Sequence, residues 1–197
     1  MPPATKYLAG ILIAIHVVVH FIINDDLLNE AIINLGFISG RFTGSAIFEP
    51  LALITPLTHI MIHGSLLHLG MNVVMLTAFG SGIEKWIGAQ KFLIIFFSAA
   101  LCGLVLHIAF NFYTVNPVIG ASGGISGLFA IALLMLNRTS GNIFGHQKYG
   151  MLPVIILWVG ISLLFGLMSS PDGAAISWEA HIGGFSGGFL IAKIMKL

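Results

Sequence analysis

The 197-residue chain is 57% hydrophobic and 8% charged, against about 25% charged residues in an average soluble domain, so it reads as an integral membrane protein. A formal net charge of +1, with eight Lys and Arg scattered along the chain, leaves no basic face for neutralising phosphates and excludes a nucleic-acid partner. The single cysteine, Cys102 inside an apolar run, excludes an intrachain disulfide and a cysteine-based metal cluster.

Six apolar runs can be set in chain order against the roughly 20 residues a helix needs to cross a bilayer. They extend from about Tyr7 to Ile23, Leu66 to Ile83, Phe92 to Phe112, Ser122 to Leu136, Met151 to Met168 and Ser177 to Ile194. The expected fold is an all-α polytopic membrane protein with six transmembrane helices, forming one domain over 1–197. The fourth run is short for a lipid-facing span, which predicts a central helix surrounded by the others. Lys6 precedes the first run as in a signal peptide, but no small-x-small cleavage pattern follows, so a retained helix is expected.

Alternate threading of six helices puts Lys6, Lys85, Lys91, Arg138, Lys148, Lys193 and Lys196 on the side of the N-terminus and Arg41 opposite. By the positive-inside rule both termini are cytoplasmic. Asp25, Asp26, Glu30, Glu49, Asp172 and Glu179 then face outward, and Glu84 inward. The longest connection, Asn24 to about Ser65, carries Leu27, Leu28, Ile32, Ile33, Phe37, Ile47, Phe48, Leu51 and Leu53, and is expected to lie in the membrane interface. Turn signals stand at Asn116-Pro117, at Thr139 to Asn142 and at Ser170 to Gly173.

The same threading places the first turns of runs two, four and six at one depth near the outer surface. Run two brings His68 and Asn72, spaced i, i+4 on one helical face. Run four opens with Ser122 in the small-residue stretch Gly120 to Gly127, and run six brings His181. Ionisable groups within a bilayer are costly and point to function. His181, Gly184 and Gly188 share a face at i, i+3, i+7, and glycines there allow another backbone to approach closely. The matching narrow face on run four is expected to be Ser122 and Ser126. A serine hydroxyl needs a base to become a nucleophile, and this packing would bring His181 within reach.

Gly120-Ala121-Ser122-Gly123 resembles the G-x-S-G nucleophile motif of rhomboid intramembrane serine proteases, and Ala180-His181-Ile182-Gly183-Gly184 resembles their A-H-x-x-G motif. His63, His68 and Asn72 are similar to the family's helix-two pattern H-x4-H-x3-N. The likeness covers nearly the whole chain, in the minimal six-helix bacterial-type form. It implies a serine endopeptidase of the inner cell membrane with Ser122 as nucleophile and His181 as general base, a dyad without an orienting Asp. His68, Asn72 and the backbone N–H groups at the start of run four would stabilise the oxyanion, with no cofactor or metal. Partners would be the lipid bilayer and transmembrane-helix proteins, cut where small residues adjoin Gly or Pro. The fragment would be released outward, with substrate access between helices two and five, where Trp158 lies; oligomeric state is left open.

Two further matches to G-x-S-G, at Ser126 and Ser186, compete with Ser122. Ser126 lies one turn deeper, and Ser186 stands at i, i+5 from His181, pointing away from its face. Ser126 also occupies a position where the family often has an aromatic that packs on the catalytic histidine, and the family's Trp-Arg loop pair is replaced by Leu53-Ile54-Thr55-Pro56. His59 and His63 read as loop supports. His16 and His20, spaced i, i+4, keep open a membrane haem or metal carrier as the alternative. A non-catalytic rhomboid-like binder of transmembrane helices is the third reading. H-E-x-x-H is absent, which excludes the commonest zinc-protease motif.

Overall fold

The computed structural model describes residues 1–22, 25–139, 150–167 and 176–197. Pro2 and Pro3 preset the backbone for a helix start, and α1 runs over Pro3–Val17, continuing as a π-helical turn over Val18–Ile22. No side chain at its own N-cap serves it. The Glu84 carboxylate does so from another helix, accepting from the N–H of Ala4 at 2.9 Å, the N–H of Thr5 at 2.7 Å and the Thr5 hydroxyl at 2.7 Å. An anion at this end satisfies otherwise orphaned donors and complements the helix dipole, which gives Glu84 a structural role.

The long connection between α1 and the next apolar run is helical in pieces. It comprises α2 (Asp25–Leu35), α3 (Ser39–Thr43), a 3-10 turn over Pro50–Ile54, α4 (Thr55–Thr58) and a 3-10 turn over His59–Met61. Phe37, Ile38, Ala52, Ile60 and Ile62 are buried, whereas Ile47, Phe48, Leu53 and Leu57 are exposed, a distribution suited to lying along an apolar interface. Phe37 and Val118 form an antiparallel bridge, each N–H donating to the other's carbonyl at 2.9 and 2.8 Å. The bridge ties this segment to the approach to Ser122.

Five longer helices follow: α5 (Leu66–Ile87), α6 (Ala89–Phe110), α7 (Ser122–Thr139), α8 (Leu152–Leu167) and α9 (Trp178–Ile194). Ser65 caps α5 by accepting from the His68 N–H at 3.1 Å, the expected chemistry at a helix start. Gly88, at φ 83°, reverses the chain between α5 and α6 in a conformation that glycine adopts without strain. The stretches Pro3–His20, Leu66–Ile87 and Ala89–Phe110 are long and apolar enough to cross a membrane, while Ser122–Arg138 and Leu152–Leu164 are shorter apolar helices. The turn signals at 140–142 and 170–173 lie outside the described residues.

From Gly123 to Leu133, every residue of α7 is buried or half-buried. Ala121, Ile125, Leu128 and Ile131 pack with Leu12, Leu76, Phe92 and Phe96, and Ala130 and Leu133 pack with Phe185. Neighbouring helices therefore cover α7 on more than one face. That places the residues at its N-terminal end where several elements converge.

Candidate active site

Ser122 is positioned by the turn before it. Gly120 has φ 110°, which strains any residue with a Cβ, and a Cβ there would stand 2.6 Å from His68 Nε2. Glycine thus lets the His68 imidazole lie against the backbone two residues before Ser122. The Gly120 N–H donates to the His59 carbonyl at 2.8 Å, so the segment before α5 holds the turn from its other side. Ser122 opens α7 half-buried, where first-turn N–H groups lack intrahelical partners.

His181 arrives on α9, whose start is capped by Ser177 accepting from the Ala180 N–H at 3.3 Å. Behind it, two pairs of glycines face two neighbours. A Cβ on Gly184 would strike the carbonyl of Gly123 on α7, and one on Gly188 would strike that of Gly127. Gly183 and Gly187 lie instead on Cys102 and Gly103 of α6 or its side chains. The helix is wedged backbone on backbone between α6 and α7, the geometry small residues permit. The expected α7 face of Ser122 and Ser126 is corrected by one residue: Gly123 and Gly127 make the contact, because an absent side chain admits a closer approach than a serine does. Ser122 is left about 100° around the helix from that seam.

His68 is within electrostatic range of His181, and its ring meets that of His63 edge-on at 5.0 Å. Asn72 is buried, and its amide donates to the His68 carbonyl at 2.9 Å. Outside the long helices, His59 and His63 are buried in the segment before α5. Burial pushes the His59 imidazole down to about 4 despite the Thr55 carbonyl 3.1 Å from its Nδ1. Burial, then the charge of His68, pushes His63 down to about 3. Both are neutral near pH 7, as ring supports in an apolar setting should be.

The competing serines have other surroundings. Ser126 is 1% exposed and its hydroxyl donates to the Ser122 carbonyl at 2.8 Å, a bond common for serine inside a helix. Ser186 is exposed and lines an outer groove with Cys102, Val105, Leu106 and Leu190, on the α6 side of α9. The rings of His16 and His20 stack with centroids 3.8 Å apart and planes 27° from parallel. Nitrogen lone pairs lie in the ring planes, so this stacking does not aim them at one point. Among the described residues, no three His, Cys, Asp or Glu side chains are arranged to hold a metal ion.

One constellation escaped the sequence analysis. Asn111, just after α6, donates to Glu179 Oε1 at 2.6 Å, Ser177 donates to Oε2 at 3.0 Å, and His107 Nδ1 stands 2.9 Å from the Ser177 hydroxyl. The available signal was the i, i+4 spacing of His107 and Asn111, the same as that of His68 and Asn72, together with an acidic residue two positions before His181. A second feature, an apolar groove between α5 and α8, is lined by Met75, Phe79, Phe129, Val154, Leu157 and Trp158.

Apolar spanning helices and a serine turn set against a glycine-packed histidine helix define a class of integral membrane protein. A family model described as the rhomboid domain matches residues 50–196, and the chain belongs to the rhomboid family. It is 33% identical to "Rhomboid protease GluP" of Bacillus subtilis (strain 168) over 72% of its own length and 26% of that protein. It is 28% identical to "RHOMBOID-like protein 7" of Arabidopsis thaliana, over 72% of this chain and 42% of that one. To "Rhomboid protease AarA" of Providencia stuartii it is 28% identical, over 67% of this chain and 52% of that one. The chain thus spans about a quarter to a half of these relatives.

Proposed function

We propose that this chain is an intramembrane serine endopeptidase that cleaves transmembrane segments of other proteins with a Ser122–His181 dyad. The carrying observation is the seam between α7 and α9: Gly184, three residues after His181, rests on the carbonyl of Gly123, the residue after Ser122. Contact of that kind fixes the two helix starts relative to one another. Relatives named as proteases support the reaction class.

In this reading Ser122 Oγ attacks the scissile carbonyl while His181 takes its proton and returns it to the leaving amine; water then releases the acyl-enzyme by the same route. The negative oxygen of the tetrahedral intermediate would be met by His68, Asn72 and the first N–H groups of α7, donors worth roughly 3 kcal/mol each. His68 already lies against Gly120, which supports this assignment. Substrate would enter between α5 and α8, where the groove beside Trp158 opens. A single domain over 1–197, with six spans and the short fourth at the centre, would sit in a bacterial inner membrane. Both termini would be cytoplasmic and the site would open outward.

Purified protein in detergent or liposomes should cleave a transmembrane substrate with small residues beside Gly or Pro. Ser122→Ala and His181→Ala should not. Equal cleavage by all three would refute the dyad.

A further inference from the structure

Glu179 is 7% exposed in the first turn of α9, and the dyad makes no use of it. Its two oxygens accept from Asn111 and from Ser177, an acceptor-only pattern that suits a carboxylate. The Ser177 oxygen accepts from the Ala180 N–H at 3.3 Å, and its second lone pair suits a proton on His107 Nδ1, 2.9 Å away. Every polar contact of Glu179 and Ser177 is then satisfied. A charge buried this way is expensive, and apolar packing would hold two helices together as well or better. Its presence calls for something beyond adhesion.

Ala180, the next residue, is where three helices meet. A Cβ on Gly103 of α6 would stand 2.6 Å from its carbonyl, and one on Gly123 of α7 would stand 3.4 Å from it. The anchor at Glu179 and the base at His181 flank that point on either side. Residues i and i+2 lie about 200° apart around a helix, so the carboxylate faces α6 while the imidazole faces elsewhere. Resting on the Ser122–His181 reading, we propose that Glu179 is a positioning residue for proteolysis. It locks the first turn of α9 onto α6, and so sets His181 against Ser122, and it holds a negative charge near the imidazolium formed when Ser122 loses its proton. The other titratable groups around it are His107 on α6, with Glu179 Oε2 3.8 Å from its Nδ1, His59 within electrostatic range of His107, and His68 within that of His181.

Glu179→Gln keeps the shape and removes the charge. Measured with a transmembrane substrate, it should leave KM unchanged and lower kcat about tenfold, the equivalent of one unit of proton affinity. The acid limb of its kcat/KM profile should move to lower pH, because an imidazolium without its carboxylate loses its proton more readily. Glu179→Asp, retaining charge, should restore the limb and part of kcat. Asn111→Ala, which loosens the anchor but keeps the charge, should lower kcat with the limb in place. A Glu179→Gln protein with wild-type kcat and limb would overturn the proposal. So would activity losses in these variants that only track loss of folded protein, with the limb unmoved. Labelling of Ser122 by a fluorophosphonate in wild type, absent in His181→Ala, secures the dyad separately. Should that labelling fail, the dyad falls and the role of Glu179 falls with it.

Discussion

Helix α7 meets two of its neighbours, α9 and α8, in opposite ways. Towards α9 the contact is backbone on backbone, Gly184 and Gly188 lying on the carbonyls of Gly123 and Gly127. Towards α8 it is ring on ring, with Phe129 and Trp158 at 4.7 Å. Backbone has no rotamers to change, so the first seam admits one register and resists displacement steeply. Aromatic side chains can turn, and α8 leaves Leu152, Ile156, Leu157 and Leu164 exposed. In the proposed reading, a site that needs both a fixed proton-transfer geometry and a way in for a helix gains from separating the two: Ser122 and His181 would adjoin the stiff seam, and the groove beside Trp158 would lie at the yielding one.

The largest effect should come from the chemistry on the stiff side. Ser122→Ala or His181→Ala should reduce kcat by up to about a million-fold, comparable to losses in soluble serine proteases, without loss of fold. Next comes the seam. Gly184→Val puts a branched side chain onto the Gly123 carbonyl and should lower stability by about 3 kcal/mol and abolish cleavage. Gly160→Ala on α8, where an added Cβ meets nothing within 4 Å, should change stability by less than about 1 kcal/mol and leave cleavage intact. Thermal unfolding in detergent compares them, and equal losses would erase the contrast between the two sides.

Asn72→Ala should lower kcat about a hundredfold as an oxyanion donor is lost. Some of that loss would arise through His68, whose carbonyl the amide holds. Trp158→Ala should act on the other term, raising kcat/KM severalfold for bulky substrates while kcat stays level; a fall in kcat to background would place Trp158 in the stiff part of the molecule instead.

The most gradual effect is on stability against pH. His59 and His63 are held at about 4 and about 3, below their ordinary 6.5. The unfolded chain therefore takes up protons that the folded protein refuses once pH falls below about 6.5, and folding weakens from there down to about 4 for His59. Each contributes at most about 1.4 kcal/mol per pH unit. His59→Gln should flatten that slope, and a wild-type stability that stays level from neutrality to pH about 4.5 would contradict the buried neutral state.

Much of this was legible before any coordinates, because bilayer-length apolar runs and small-residue faces are local properties. The helix starts at Leu66 and Ser122 and the glycine face of Gly184 and Gly188 follow from sequence alone. What escaped depends on tertiary proximity. Glu84 caps α1 from some 80 positions away, which no spacing rule encodes. The choice of Gly123 over Ser122 for the seam turns on one residue of helical phase between two small side chains. Glu179 read as one outward acid among several, since its partners on α6 come near only when α6 and α9 pack.

The most direct test of the central claim is to label the purified protein with a fluorophosphonate and map the adduct by mass spectrometry. The dyad predicts one phosphonylated residue, Ser122, in wild type and none in His181→Ala. An adduct on Ser126 or Ser186, or labelling of Ser122 that persists undiminished without His181, would contradict it.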